Sequence, residues 1–139
     1  MIEFNYQADF KLDNEILYTN WLIEIAVSEK KTIGDLSYVF CTDTFLLDIN
    51  KQFLDHDTFT DIITFDYCTD DLLHGEIYIS IDRIVENADK FNVTFYSELQ
   101  RVMAHGLLHL CGYGDKLIDE KAVMTAKENE KMNMFHVKQ

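Results

Sequence analysis

The chain contains no proline, so the usual punctuation of helix ends and turns is missing and loop boundaries must be read from other residues. Positive charge is also scarce. Lysine and arginine together number 12 against 25 acidic residues, for a net charge of -13, and the only arginines are Arg83 and Arg101. That balance excludes a general nucleic-acid coat, which needs a basic face. Any RNA contact must come from a local patch, a bound metal or a larger partner. No apolar run approaches the roughly 20 residues that a membrane span requires. The opening MIEFNYQADF lacks a basic segment followed by an apolar stretch, so no signal peptide is expected. Cys41, Cys68 and Cys111 are odd in number and lack zinc-like spacing, which points to reduced thiols and a cytoplasmic setting rather than a disulfide scaffold.

What is present suits one domain over residues 1–139, with 47% hydrophobic and 13% aromatic residues to build a core. Ile2, Phe4 and Tyr6 alternate with polar residues and predict a strand. Ile16, Leu17, Trp21, Ile23 and Ile25 predict a helix from Asp13 to about Glu29. Gly34 and Asp35 open a second strand, LSYVFC. Thr42 or Asp43 caps a helix carrying Phe45, Leu46, Ile49 and Phe53. The polar stretch from Asp55 to Thr60 reads as a loop. DIITFDY and GEIYIS form a third and a fourth strand, joined through Thr69 to Leu73 as a hairpin. Ser80 caps a helix through Arg83, Ile84 and Ala88, Thr94 caps one through Leu99 and Leu110, and a last helix runs from about Lys116 to Lys131. The fold class expected is α+β: a small mixed four-stranded sheet packed with helices.

The chemistry concentrates in HGLLHLCGYGD, from His105 to Asp115. His105 and His109 are one helical turn apart on one face. Gly112 can end the helix in a left-handed conformation that costs other residues energy. The reversed chain then brings Asp115 back over the pair. Two imidazoles and a carboxylate with an open position is the ligand set of catalytic zinc. Asp119 and Glu120 compete with Asp115 on composition but fall in the next helix. His56, His74 and His136 are expected at the surface, and Cys111 is expected to pack. Gly106 stands where zincin proteases carry a glutamate base, so peptide hydrolysis is disfavoured. A glycine inside a helix costs about 1 kcal/mol against alanine, which implies close approach of a substrate or a packed strand.

These residues resemble the YbeY family of ribosomal RNA maturation factors, whose signature is HGxLHLxGYDH. The match runs through His105, Gly106, Leu108, His109, Leu110, Gly112 and Tyr113. Asn50, Phe53, Asp57 and TDIITF at Thr60 to Phe65 resemble a second family block, and GEIYIS at Gly75 to Ser80 a third. The resemblance implies a zincin-like metal-binding helix and a metal-dependent endoribonuclease specific for single strands. The implied roles are 16S rRNA maturation, ribosome biogenesis and ribosome quality control. One Zn2+ per chain, or another divalent transition metal, is the implied cofactor. The implied partners are single-stranded rRNA, the ribosome or its small subunit, and assembly factors, with neither DNA nor membrane. The alternative is a ribosome-assembly binding factor with a structural metal and little catalysis.

Three positions depart from the family pattern. Asp115 replaces the usual third histidine, Gly114 replaces an aspartate beside it, and Leu54 replaces an arginine. A carboxylate for an imidazole lowers the charge of the site by one, and the missing arginine removes a phosphate clamp. Arg101, one turn before His105, either faces the same cleft or pairs with Glu98 or Asp119. Asp61 and Glu76 are the candidate general bases, each of which could equally cap a turn or orient a ligand.

Overall fold

Alternation and capping set most element boundaries. In the computed structural model, which describes residues 1–54 and 60–135, β1 (Ile2–Gln7) turns Ile2, Phe4 and Tyr6 inward and their neighbours out. Asn14 caps α1 (Glu15–Ser28) by accepting the Leu17 N–H at 3.2 Å. β2 (Thr32–Cys41) begins before the expected Gly34–Asp35 opening. It stays paired across an irregularity between Ile33 and Leu36, where the Asp35 N–H donates to His74 Nδ1 at 2.9 Å. Of the two cap candidates for α2 (Asp43–Leu54), Thr42 accepts the Phe45 N–H. Asp43 instead accepts the Ser80 hydroxyl at 2.6 Å and Arg83 Nε at 3.1 Å.

β3 (Ile62–Asp66) and β4 (Leu72–Ser80) form the expected hairpin, with β4 starting ahead of GEIYIS. Ser80 caps α3 (Ile81–Phe91) and Thr94 caps α4 (Phe95–Leu110), as read from the sequence. α5 (Ile118–Met132) starts slightly later than expected. The Glu120 carboxylate accepts the Lys116 and Leu117 N–H groups at 3.2 and 3.1 Å. The loop expected at Asp55 to Thr60, with His56 and Asp57 in it, falls outside the described residues except for Thr60, and His136 falls outside as well.

The sheet has the order β1-β2-β4-β3, parallel except for the β3–β4 pair, so the expected mixed sheet is present. Its inner face carries Tyr38, Phe40, Ile77 and Ile79, packed with Trp21, Leu22 and Ile25 of α1 and Leu99, Met103 and Leu107 of α4. A smaller cluster of Cys41, Leu46 and Ile63, with Ile49, Phe65 and Tyr78 against it, seats α2. Successive strand residues part here: Ile62 joins the main core and Ile63 the smaller one.

Gly106 lets α4 lie close to the sheet. A Cβ there would stand 2.9 Å from Ile77 Cγ2 and 3.0 Å from Ile62 Cδ1. Of the two reasons expected for this glycine, the packed strand is the one observed. A glutamate base has no room at this position.

Candidate metal-binding cleft

The last turns of α4 present His105 and His109. The helix then closes as a Schellman motif, with the Tyr113 N–H donating to the Leu108 carbonyl at 3.1 Å and the Gly112 N–H to the His109 carbonyl at 3.0 Å. Gly112 has φ +109°, the conformation its position predicts. The chain doubles back, and Asp115 Oδ2 lies 3.1 Å from His105 Nε2. His105, His109 and Asp115 line one cleft with Asn50 and Leu54 of α2 and Ile62, Ile63 and Thr64 of β3.

Hydrogen bonds determine which ring nitrogens are available. His109 Nδ1 faces the Tyr113 carbonyl at 3.1 Å. A carbonyl only accepts, so Nδ1 carries the proton and Nε2 keeps its lone pair. His105 Nδ1 faces Glu128 Oε2 at 2.7 Å, which leaves Nε2 toward Asp115. Burial pulls the His105 pKa down, but the hydrogen bond and charge of Glu128, then Asp115 and Asp61, outweigh it and the net shift is upward.

Two Nε2 atoms and a carboxylate are donors that suit a divalent transition metal. The three side chains share the cleft without being gathered around one point. Among the described residues, no group of three His, Cys, Asp or Glu side chains stands ready to hold a metal ion. His105 and Asp115 contact each other directly instead.

A second cavity opens on the other side of His105, lined by Asp61, Glu98, Arg101, Asp115 and Glu128. Burial pushes the Asp61 carboxyl above its ordinary range. It does the same for Glu98, helped by the nearby Asp61 charge. Arg101 donates to Glu128 Oε1 at 2.8 Å and to Asn129 Oδ1 at 2.7 Å, so its partner is neither Glu98 nor Asp119. Glu76 is not brought to either cavity. It accepts the Tyr78 hydroxyl at 3.1 Å and lines a separate depression with Glu3, Asp35, Tyr67 and His74. The alternation of β4 explains this, since Ile77 faces α4 and its neighbour must face away.

Cys111 packs against the main core and all three cysteines are free, in agreement with the sequence. Asp119 and Glu120 lie in α5, also as expected. The residue that sequence reasoning missed is Glu128. Its signal was a carboxylate on the buried stripe of the last helix, with Met124 and Lys131.

The fold and the cleft define a class: an α+β domain in which a histidine-pair helix, a glycine turn and a returning carboxylate line one cleft. Comparison narrows the class. The family model described as Endoribonuclease YbeY matches residues 3–136. The protein of that name from Flavobacterium psychrophilum is 53% identical over 139 residues, which covers 100% of this chain and 99% of its own. The one from Bacteroides thetaiotaomicron is 46% identical over 116 residues, covering 84% of this chain and 85% of its own. A solution structure of a Thermotoga maritima protein aligns with TM-score 0.65 and 30% identity, over 97% of this chain and 89% of that one. The chain belongs to the YbeY family of endoribonucleases, as its three sequence blocks implied.

Proposed function

We propose that this protein is a metal-dependent endoribonuclease that cuts single-stranded RNA in 16S rRNA maturation, ribosome biogenesis and ribosome quality control. The observation that carries this reading is the match to Endoribonuclease YbeY across residues 3–136. The alternative of an assembly factor with a structural metal and little catalysis is not favoured, because relatives similar over the whole chain are named endoribonucleases. His105, His109 and Asp115 are the proposed ligands and Zn2+ the proposed ion, with another divalent transition metal as substitute. Small-subunit rRNA, the ribosome and its assembly factors are the proposed partners, and the cytoplasm is the proposed location. Among the described residues, no helix is long and apolar enough to cross a membrane.

Held by His105, His109 and Asp115, a divalent ion would supply Lewis acidity and positive charge toward a phosphodiester. The chain's own groups do the rest. Glu128 and the Tyr113 carbonyl hold the Nδ1 protons, so both histidines can offer Nε2. Asp61 remains a candidate proton acceptor, because it lines the cavity beside His105 and burial raises its basicity. Leu54 lines the cleft where an arginine would clamp phosphate, so position 54 offers a phosphodiester no guanidinium.

The test incubates purified protein and zinc with single-stranded and duplex rRNA. Cleavage confined to the single strand, abolished by chelator and by His109→Ala, is expected. An inactive wild type under every divalent ion, or full activity in His109→Ala, overturns the reading. Elemental analysis beside Asp115→Ala tests the third ligand, with loss of bound metal expected.

A further inference from the structure

The geometry points to Glu128 as the residue that positions His105 for a metal, with Arg101 as the clamp that decides which way the Glu128 side chain faces. This rests on the reading above in one respect, that His105 is a ligand.

Glu128 lies on α5, 23 residues beyond His105, and is only 7% exposed. Its two oxygens have separate donors. Oε2 is 2.7 Å from His105 Nδ1 and Oε1 is 2.8 Å from Arg101 Nη1. The other arm of the Arg101 fork donates to Asn129 Oδ1 at 2.7 Å, which anchors the guanidinium to the same helix. An ionised carboxylate only accepts, and one stands at each ring nitrogen, Glu128 Oε2 at 2.7 Å from Nδ1 and Asp115 Oδ2 at 3.1 Å from Nε2; the shorter and more buried of the two keeps the proton of the neutral ring on Nδ1. The lone pair of Nε2 is thereby directed to the side where Asp115 sits. The χ2 torsion of histidine is broad and two-fold, so packing alone does not select the ring orientation, whereas this hydrogen bond does. A carboxylate behind a metal-binding histidine also raises the basicity of the ligand.

The clamp makes the inference sharp. Glutamine has the shape of glutamate but one acceptor end and one donor end. In Glu128→Gln the guanidinium, which can only donate, draws the amide oxygen to itself. The amide NH2 then faces His105 Nδ1, which must accept. The ring proton moves to Nε2, the atom that should bind the ion. Removing Arg101 as well frees the amide to turn over and present its oxygen to His105.

Two measurements test this: 15N NMR of the His105 ring in metal-free protein at alkaline pH, and zinc competition against a chromophoric chelator. Wild type should carry the proton on Nδ1. Glu128→Gln should carry it on Nε2 and lose about 10–100-fold in zinc affinity. Glu128→Gln combined with Arg101→Met should recover most of the affinity, because the freed amide can turn its oxygen to an Nδ1 proton when Nε2 is taken by zinc, a rescue that a merely structural role for Glu128 would not give. A wild-type ring protonated at Nε2, a Glu128→Gln protein that binds zinc as tightly as wild type, or a double variant no tighter than the single one overturns the inference. Should Glu128→Gln fail to fold, the wild-type ring still decides. The tautomer is read without RNA. A wild type that cuts no RNA therefore defeats the proposed function while leaving this result readable.

Discussion

Glu29 and Glu128 are both largely buried carboxylates tied to cations, and their surroundings differ in sign. Glu29 accepts from Lys131 at 2.8 Å, Lys127 at 3.2 Å and the Tyr113 hydroxyl at 2.7 Å. Burial alone would raise its pKa, but hydrogen bonds from Lys131, Tyr113 and Lys127 hold it down at about 2. The cavity around Glu128 has the opposite balance, with Asp61, Glu98, Asp115 and Glu128 facing Arg101 and His105. Burial pushes the Asp61 and Glu98 carboxyls up instead of down. The first cluster is complete as it stands and secures Tyr113, in the turn that delivers Asp115. The second holds more negative charge than its own cations balance. A bound divalent ion would relieve that excess, which accords with the proposed metal.

The largest expected effect comes from breaking the complete cluster. Lys131 is 1% exposed, and Lys131→Met leaves Glu29 without its nearest cation. Urea denaturation should show a loss of about 3 kcal/mol, the scale for a buried pair that loses one partner. By contrast, His109→Ala removes an exposed side chain and should leave the urea midpoint nearly unchanged while abolishing cleavage.

The next contrast is in pH. Glu29 moves from 4.5 to about 2 on folding, so its contribution is present above pH 4.5 and is lost as pH falls toward 2. Thermal melts of Glu29→Gln should therefore show a flatter acid limb than wild type. Glu98 is raised on folding, so its contribution runs the other way, present below the ordinary carboxylate range and lost as pH rises through its folded value. Glu98→Gln should raise the melting temperature at neutral pH. If both variants shift the curve in the same direction, the contrast between the two clusters is wrong.

The smallest effect on stability is expected at Leu54, which is 42% exposed in the cleft. Leu54→Arg should change stability by no more than about 0.5 kcal/mol. Initial rates of RNA cleavage should rise, and the gain should shrink with added salt, as a phosphate contact requires. An unchanged rate would show that the missing arginine does not limit this enzyme.

Legibility from sequence followed distance along the chain. The Asn14, Thr42, Ser80 and Thr94 helix starts depend on a side chain reaching a backbone N–H three residues on, and the Thr42, Ser80 and Thr94 caps were readable for that reason. The Gly112 turn was readable because its conformation excludes most other residues. Glu76 and Arg101 were harder. Strand alternation decides that Glu76 faces away from α4, but only once the position of α4 is known. Arg101 had acidic candidates on its own helix and at the start of the next, and the packing of α4 on α5 selected Glu128 over both. Gly106 was recognised as costly, yet the atoms that require it, Ile77 Cγ2 and Ile62 Cδ1, come from two strands distant in sequence.

The sequence by itself determined the elements, the mixed sheet, the histidine pair, its glycine turn and the family. Each is a matter of short-range backbone geometry or of residue order. Only the tertiary structure decided what stands behind His105. The proton on Nδ1 depends on a carboxylate 23 residues away, held by an arginine one helical turn before the histidine. No local spacing encodes that contact, because it exists only where two helices pack side by side and leave a charge that must find its partner inside.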